Sequence, residues 1–250
     1  MRMQILPLVN HSTYQPPHND AEASERTGRQ KRGIADTSAR WPDGVVTVAL
    51  DLKDMKSQAL VVDAIREWAH HTPGLQLKVV NGKKGDIRVS DDEGIKGNWS
   101  YIGTNARYVP MDKPTMHLNR SDNSKEFRQT ALHEFGHALG LLHEHQHPEH
   151  DINWNSQLVY AKYKTLESDK SLIDRDFFTL PTGENLLVKG YDTKSVMHYG
   201  IEPDDTKDGR ETKQNYSLSE GDKEIIRKLY SPGRFQDSGL SSAQGPAPLD

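Results

Sequence analysis

Apolar residues change their spacing along the middle of the chain, and the changes predict strands and helices in turn. Residues 45–50 form a β-branched run that is typical of a strand. In residues 60–68 the apolar positions fall on one face of a helix, and the Thr-Pro-Gly sequence at 72–74 predicts its end. Residues 75–79 then alternate between apolar and polar, as a half-buried strand does. We therefore expect a fold that mixes strands and helices.

The pattern continues toward the centre of the sequence with two short strands and a second helix. The strands are expected at residues 86–89 and 115–118. Asn123 is a good helix N-cap, and Glu126 stands at the third helical position, where it supports such a cap. Residues 127–139 have a broad apolar face, so this helix is expected to be largely buried. It ends inside a histidine-rich motif.

Both ends of the chain lack periodic apolar residues. Residues 1–40 are rich in polar residues and proline, and we expect a flexible leader or a propeptide there. Within them, Arg-Gln-Lys-Arg at 29–32 is a basic cluster that a trypsin-like or furin-like protease could cut, and an ordinary solvated charge cluster is the alternative. Residues 232–250 contain prolines, glycines and serines and are predicted to be a disordered tail.

Composition narrows the possible chemistry. The chain has 250 residues, of which 34% are apolar, enough for a substantial core. Its net charge of −4 gives no extended basic surface, so neither nucleic acid nor an anionic membrane is an expected partner. It has no cysteine, which excludes disulfides, a thiol nucleophile and thiolate metal ligands. We expect a monomer whose partners are proteins or peptides, with any metal held by His, Asp, Glu or Tyr.

Residues 133–144 contain the pattern His-Glu-x-x-His-x-x-Gly-x-x-His-Glu. On a helix, residues four apart differ by ~40° in direction and ~6 Å in height, so His133 and His137 can point at one ion. His143 would lie ~15 Å along the axis from His133 if the helix continued, whereas nitrogen ligands lie ~2.0–2.1 Å from zinc. The helix must therefore end before the third histidine, and Gly140 enters the left-handed conformation cheaply enough to end it.

The same motif predicts a catalytic zinc site with one Zn2+ per chain. Three histidine ligands leave a position of a tetrahedral ion open for water, which distinguishes catalytic from closed structural sites. Glu134 adjoins the first ligand and flanks the metal without binding it. It can therefore act as the general base that takes a proton from the activated water and passes it to the leaving amine. The alternative is a surface His-Glu-His pair at helical spacing by coincidence, but the glycine and third histidine at the proper offsets argue against it.

A second motif, Ser-Val-Met-His-Tyr, occupies residues 195–199. Together the two motifs resemble the astacin family of metzincin zinc peptidases, in which glutamate follows the third histidine and a Met-turn lies under the zinc. The resemblance covers residues 41–231 and includes Trp-Pro-Asp-Gly at 41–44, the helix with Trp68, Trp-Ser-Tyr-Ile-Gly at 99–103, Leu-Ser at 218–219, Asp222 and Tyr230. It implies an α+β, two-lobed zincin fold with a twisted, mostly parallel sheet and two long helices above the cleft. The lower lobe is expected to be rich in loops and to carry the Met-turn and a C-terminal helix.

The resemblance also implies roles for three residues. Met197 would form the apolar floor beneath the metal, and Tyr199 would be a movable fifth metal ligand that swings to stabilise the oxyanion. Glu144 would anchor the N-terminus of the processed chain. A methionine more often fills gaps in a core, and a tyrosine more often packs its ring, so each residue alone has a simpler explanation. Their joint spacing favours the functional one.

The remaining histidines do not fit the predicted site. His145, His147 and His150 follow it, and we expect them in a solvated loop, with substrate contact or an adventitious second ion as alternatives. His198 lies between two functional positions and is expected to face away from the metal. His70, His71 and His117 are expected to be structural or exposed.

The sequence also departs from the resemblance. Animal astacins usually carry two disulfides, so the absence of cysteine points to a bacterial or fungal type. No Phe-x-Gly-Asp segment is present, which argues against an aspartate that blocks the zinc in a zymogen. Lys-Gln-Asn at 213–215 stands where many members of the family have Gly-Gln-Arg. This difference weakens any expectation of a preference for acidic residues after the scissile bond of the substrate. A serralysin-like metzincin, a binding module that keeps a zinc site and an exported effector are the alternatives. We expect action outside the producing cell, although the short apolar start, broken by Pro7, is no clear signal peptide.

Overall fold

A five-stranded sheet organises the fold. The computed structural model describes residues 32–164 and 170–232. The described residues contain seven strands, of which five form this sheet; the seven are β1 (Gly33–Asp36), β2 (Gly44–Asp51), β3 (Leu75–Val80), β4 (Ile87–Ser90), β5 (Trp99–Ser100), β6 (Met116–His117) and β7 (Leu186–Lys189). The sheet has the order β3-β2-β4-β6-β5, and β5 runs antiparallel to β6 while the other pairs are parallel. The four predicted strands and the mostly parallel sheet are therefore confirmed. A separate antiparallel pair, β1 and β7, is not foreseen by the sequence pattern.

Two long helices pack against each other beside this sheet. The described helices are α1 (Met55–Ala69), α2 (Ser124–Ala138), α3 (Ser156–Tyr163), α4 (Lys170–Ile173) and α5 (Glu220–Leu229), and the long pair is α1 and α2. Asp54 caps α1 by accepting a hydrogen bond from Ser57 N at 2.8 Å. Asn123 caps α2 through the N–H groups of Lys125 and Glu126, which confirms the predicted start of that helix. Within the described ranges no helix is long and apolar enough to cross a membrane.

Two buried tryptophans fix the position of α2. Trp68 on α1 donates from Nε1 to the carbonyl of Leu132 at 2.9 Å. Trp41, which precedes β2, donates from Nε1 to the carbonyl of Ala138 at 2.7 Å. Both indole rings are completely buried, so each N–H needs a partner inside the protein. Helix α2 is thus held at its middle and at its end, and the side chains on its inner face have defined positions.

A second, smaller apolar cluster forms the core of the other lobe. Val159 on α3, Ile173 on α4 and Phe177 are its buried centre. Phe177 belongs to a π-helical turn, Asp174–Phe178, that follows α4 directly. The rings around this centre belong to Trp154, Tyr160, Tyr163, Phe178 and Tyr199. The two cores agree with the predicted two-lobed fold, and Tyr199 belongs to the smaller core as well as to the predicted metal site.

The folded part begins earlier than the boundary predicted at residue 41. Strand β1 (Gly33–Asp36) pairs with β7, and Ile34 and Ala35 are completely buried. The predicted leader is therefore wrong for residues 33–40. Its few apolar residues give no periodic signal of their own, because their partner strand lies about 150 residues later in the sequence. The rest of the predicted leader, up to residue 31, and the predicted tail from residue 233 lie outside the described residues.

Candidate metal centre

Helix α2 carries the first two histidines and ends where the motif predicts. His133 and His137 lie one turn apart on it, and both are buried. Gly140 has a φ of +99°, in the left-handed region that favours glycine. Its N–H donates to the carbonyl of His137 at 2.8 Å, and the N–H of Leu141 donates to that of Gly136 at 2.9 Å. These two bonds form a Schellman motif, so Gly140 ends the helix as expected.

Backbone hydrogen bonds then direct the chain toward the third histidine. The N–H of Asp36 on β1 donates to the carbonyl of Gly140 at 2.9 Å, and that of Leu142 donates to the carbonyl of Ile34 on β1 at 3.1 Å. On the other side of His143, the N–H of residue 144 donates to the carbonyl of residue 197 at 3.0 Å. The return of the chain after α2 is thus held by β1 and by the second motif, and not by the helix alone.

The ring nitrogens of the three motif histidines converge. One nitrogen from each of His133, His137 and His143 lies within 4.8 Å of the others. The Nε2 atoms of His137 and His143 are 3.0 Å apart. Two nitrogens that each lie ~2.0–2.1 Å from a tetrahedral zinc are about 3.3 Å apart, so the spacing and the all-nitrogen donor set fit this metal. The described part of the chain contains no second group of three or more His, Asp or Glu side chains with this arrangement.

The first two ligands are oriented by backbone carbonyls. Nδ1 of His133 donates to the carbonyl of Val196 at 2.8 Å, and Nδ1 of His137 donates to the carbonyl of Leu141 at 2.9 Å. A carbonyl can only accept, so each ring carries its proton on Nδ1 and presents the lone pair of Nε2 to the centre. Such partners of the second ring nitrogen fix both the tautomer and the orientation of a metal ligand.

The third ligand has a side-chain partner, and all three rings are neutral. Nδ1 of His143 lies 3.2 Å from Oε1 of Gln146. Burial lowers the pKa of His133 to about 4. Burial, with repulsion from His133, lowers the pKa of His137 to about 3 and, with repulsion from neighbouring imidazoles, holds that of His143 well below its usual range. A histidine ligates metal in its neutral form, so the site is ready to bind a cation at neutral pH.

Glu134 lies beside the first ligand with an uncommitted carboxyl group. Its side chain is buried, at 4% exposure, and burial raises its pKa to about 8. A nearby cation favours the charged form of such a group. Among the residues that the structure describes, none forms a hydrogen bond with its carboxyl oxygens. Besides burial, the charge of Glu134 raises the pKa of the Tyr199 phenol, whose ring lies beside His133 and His143.

Tyr199 packs against the histidine group from the smaller lobe. Its ring centroid lies 4.5 Å from that of His143 and 5.7 Å from that of His133. The ring also stacks on His145, with centroids 4.2 Å apart. Burial raises the pKa of the Tyr199 phenol well above its usual value, so the hydroxyl keeps its proton at neutral pH and can donate it. Its role as a metal ligand stays a prediction.

The second motif forms a tight turn against α2. Met197 is buried and lies so close to Gly136 that a Cβ at that glycine would collide with the methionine sulfur. The hydroxyl of Ser195 accepts a hydrogen bond from Met197 N at 2.9 Å and donates to the carboxylate of Asp222 at 2.6 Å. That carboxylate also accepts from Val196 N at 2.9 Å. Helix α5 therefore holds the turn that carries the carbonyl partner of the first ligand.

Two supporting residues are not identified by sequence reasoning. Asp222 matches the family pattern, and Ser219 and Asp222 have the spacing of a capping box, which the structure contains. The box predicts a helix start but not a contact with residues 195 and 196. Gln146 has no sequence signal, because nothing in the local pattern shows that it turns back toward His143.

Three buried carboxyl groups lie next to the metal centre. Glu144, Asp192 and Asp222 are at most 2% exposed. Oε1 of Glu144 accepts from Asp192 N at 2.7 Å, and the hydroxyl of Ser219 donates to the Asp192 carboxylate at 2.7 Å. Burial raises the pKa of Glu144 well above its usual range, and the other two carboxyl groups raise it further. Arg32, whose guanidinium lies 3.6 Å from Asp192, acts in the opposite direction.

The solvated loop predicted after the motif is wrong. His145 and His147 are both 0% exposed, and His150 is half-buried. Nε2 of His145 donates to the carbonyl of Asp176 at 2.8 Å, and Nε2 of His147 donates to the carbonyl of Lys189. Residues that lie 31 and 42 positions later thus cover this segment, and a local sequence pattern does not report such contacts. These three histidines are not part of the converging group.

The other histidines have structural surroundings. His198 pairs through Nδ1 with the carbonyl of Tyr199 at 2.7 Å and through Nε2 with the hydroxyl of Tyr191 at 2.6 Å. His117 is buried and pairs with two backbone carbonyls, at 2.6 and 3.0 Å. His71 is buried against α5, and His70 is exposed. None of them belongs to the three-histidine group.

Known proteins are similar to this chain in sequence and in fold. Residues 33–231 match the model of the peptidase family Astacin. Low choriolytic enzyme of Oryzias latipes is 29% identical over 206 residues, covering 78% of this chain and 67% of that protein. Blastula protease 10 of Paracentrotus lividus is 24% identical over 240 residues, covering 87% of this chain. The chain spans about a third of the length of several curated relatives, 37% of Blastula protease 10 and 33% of zinc metalloproteinase nas-19 of Caenorhabditis elegans.

A solved structure gives the same picture in three dimensions. The structure of myroilysin superposes with a TM-score of 0.74 at 34% identity, and the match covers 80% of this chain and 98% of that one. The matched segment of the family model begins at residue 33, which agrees with the early start of the fold at β1. The family match over most of the chain, together with the converging imidazoles, shows that the protein belongs to the astacin family of zinc metalloendopeptidases, with His133, His137 and His143 as its zinc site.

Proposed function

We propose that the protein hydrolyses internal peptide bonds of proteins by water attack, with Glu134 as the general base. The observation that carries the proposal is a buried carboxyl group without a hydrogen-bond partner among the described residues, next to three neutral, oriented imidazoles. When bound there, zinc supplies a Lewis acid that lowers the pKa of water and polarises the substrate carbonyl. A site that served only to hold the fold together would gain nothing from a free carboxyl group beside it.

Glu134 moves one proton in two steps. Its carboxylate takes the proton from the attacking water as the oxygen of that water bonds to the carbonyl carbon. It then gives the proton to the amide nitrogen as the carbon–nitrogen bond breaks. Burial supports this role, because a carboxylate removed from water is a stronger base than an exposed one. The buried position on α2 also keeps the group in place when a substrate enters.

Tyr199 is proposed to stabilise the negative charge that develops on the carbonyl oxygen, and to contact the metal when no substrate is bound. Its ring lies beside His133 and His143, and its phenol stays protonated, so it has a proton to donate. Charge appears on the carbonyl oxygen only during the reaction. A donor that meets it there stabilises the transition state more than the bound substrate.

The alternatives carry less support. A serralysin-like enzyme is not favoured, because the family match covers residues 33–231 and names another branch. A binding module or an exported effector that merely retains zinc would not require Glu134, and the first experiment below separates it from an enzyme. We propose protein or peptide substrates, in line with relatives that are named as a protease and a zinc metalloproteinase, and we propose action outside the producing cell.

Removal of the metal should abolish proteolysis, and Glu134→Gln should abolish it with the metal still bound. Treatment with 1,10-phenanthroline is expected to stop casein cleavage, and added zinc should restore it. The Glu134→Gln protein should keep about one zinc per chain, because the residue serves the water and not the ion, while losing nearly all turnover. Metal analysis measures the zinc content, and casein cleavage by the same sample measures the turnover. Full activity in metal-free protein would refute the proposal, and zinc loss in Glu134→Gln would refute the assigned role of Glu134.

Tyr199→Phe should lower kcat with little effect on KM or zinc content. Removal of one donor to a developing oxyanion typically costs about 10²–10³ in kcat. The phenyl ring keeps the stacking on His145, so packing is preserved. Steady-state kinetics on a fluorogenic peptide, with zinc analysis, make the measurement, and Tyr160→Phe in the smaller core is a matched control expected to retain the parent kcat. Parent-like kcat in Tyr199→Phe would remove the catalytic role, and outright loss of zinc would identify a permanent ligand.

We further propose that Glu144 anchors a new N-terminus made by cleavage at the basic cluster of residues 29–32. Three buried carboxyl groups, on Glu144, Asp192 and Asp222, lack a buried cation among the described residues, and the half-exposed Arg32 is the positive group beside them. Cleavage after Arg32 removes its half-exposed guanidinium, and the ammonium of the buried Gly33 at the start of β1 would take its place as the positive charge near this cluster. Burial of unpaired negative charge is costly, so such an ammonium would stabilise the fold around His143.

A chain that begins at Gly33, with a free ammonium, should therefore be more active or melt at a higher temperature than the full-length chain. The start matters, because a chain that begins at Arg40 loses β1 and the bonds that hold residues 140–142, and should melt lower than both. Thermal unfolding and peptide cleavage compare the three forms after release from a fusion by a specific protease. Glu144→Gln in the form that begins at Gly33 should remove its advantage. Equal activity and Tm in the full-length and Gly33 forms would contradict the proposal.

A further inference from the structure

The three zinc ligands differ in how their second ring nitrogen is held. Backbone carbonyls hold His133 and His137, at 2.8 and 2.9 Å. His143 is held by the side chain of Gln146 at 3.2 Å. A backbone carbonyl survives any substitution, whereas a side-chain partner can be lost. The orientation of the third ligand is therefore the one that depends on the identity of another residue.

The direction of the Gln146 amide is fixed by its other contacts. Its Nε2 donates to the carbonyls of Arg175 and Thr179, the latter at 2.8 Å. Carbonyl oxygens only accept hydrogen bonds, so the amide nitrogen must face them and the amide oxygen must face His143. An amide oxygen also only accepts, so His143 donates from Nδ1. Its Nε2 then has a free lone pair directed at the histidine group.

The same contacts connect the ligand to the smaller lobe. Residues 175 and 179 lie in and directly after the π-helical turn, where Thr179 N closes back on the carbonyl of Asp174 at 2.7 Å. That turn also accepts the hydrogen bond of His145, whose ring supports Tyr199. Gln146 is buried, so water does not replace these bonds when they are lost. A π-helical turn of this kind often occurs at functional sites.

We propose that Gln146 is the positioning residue for the zinc site: it sets the tautomer and the direction of His143 and ties this ligand to the π-helical turn. Partners of this type typically change metal affinity by about 10–100-fold when they are removed. Gln146 does not contact the metal or the substrate in this role. The inference concerns zinc binding alone, so it can be tested whether or not the peptidase proposal holds.

Two substitutions separate the acceptor from the donors of the Gln146 amide. Gln146→Leu removes both, and Gln146→Glu keeps an acceptor toward His143 while it removes the donors to the two carbonyls. We expect Gln146→Leu to raise the Kd for zinc by about 10–100-fold. Gln146→Glu should bind zinc at least as tightly as the parent, because a carboxylate partner raises the basicity of the imidazole. Both substitutions are expected to lower the Tm of the metal-free protein, because the carbonyls of residues 175 and 179 lose their partner.

The experiment measures zinc Kd by competition with a chromogenic chelator, and Tm by circular dichroism, on the full chain. Gln58→Leu is the matched control: this distant glutamine also donates to a backbone carbonyl, that of Leu52 at 2.9 Å, and its loss should leave the zinc Kd unchanged. Parent-like zinc Kd in Gln146→Leu would overturn the inference. Should Gln146→Leu not fold, the glutamate variant decides: a folded Gln146→Glu protein that binds zinc about 10-fold more weakly than the parent would overturn it as well.

Discussion

Three imidazoles can share one zinc ion only if the chain leaves the axis of α2 soon after His137 and reverses its direction. Several elements of the structure hold the chain in this reversed path. Gly140 ends the helix in a conformation that other residues adopt at a cost. The reversal is then held from outside by β1, which receives and donates the hydrogen bonds of residues 140 and 142. Strand β1 in turn pairs with β7 and packs on α5. The residues of β1 thus help to hold the third histidine in position, although none of them is a ligand.

Burial determines the chemistry of the site as much as its geometry does. The imidazoles are held neutral by desolvation, and their second nitrogens are paired with acceptors, so the lone pairs that meet at the centre are ready for a cation. Glu134 experiences the same surroundings, which make its carboxylate a strong base. A cation at the centre offsets the cost of burying this carboxylate. Metal binding and the proposed activation of Glu134 as a base are therefore linked by one environment.

Much of this arrangement could be predicted from the sequence. The rest could not, because it depends on contacts between residues that are far apart in the sequence. The ligands, Glu134 and the end of α2 follow from helical spacing and the conformational freedom of glycine, which are local properties. Strand β1, the burial of His145 and the contact of Gln146 with the π-helical turn depend on partners far away in the sequence. A short strand or a polar residue gives no local sign of such partners. The wrong predictions therefore concern the segments that cover the three-histidine group.

We conclude that His133, His137 and His143 are placed to bind one zinc through Nε2, each with its Nδ1 paired inside the protein. The most direct measurement is a crystal structure of the zinc-loaded protein, with anomalous scattering data collected on both sides of the zinc absorption edge. We expect one zinc peak, ~2.0–2.1 Å from the three Nε2 atoms, with Nδ1 of His143 bonded to Gln146. A zinc bound through Nδ1 of any of these residues, or held by His145 or His147 in place of His143, would contradict it.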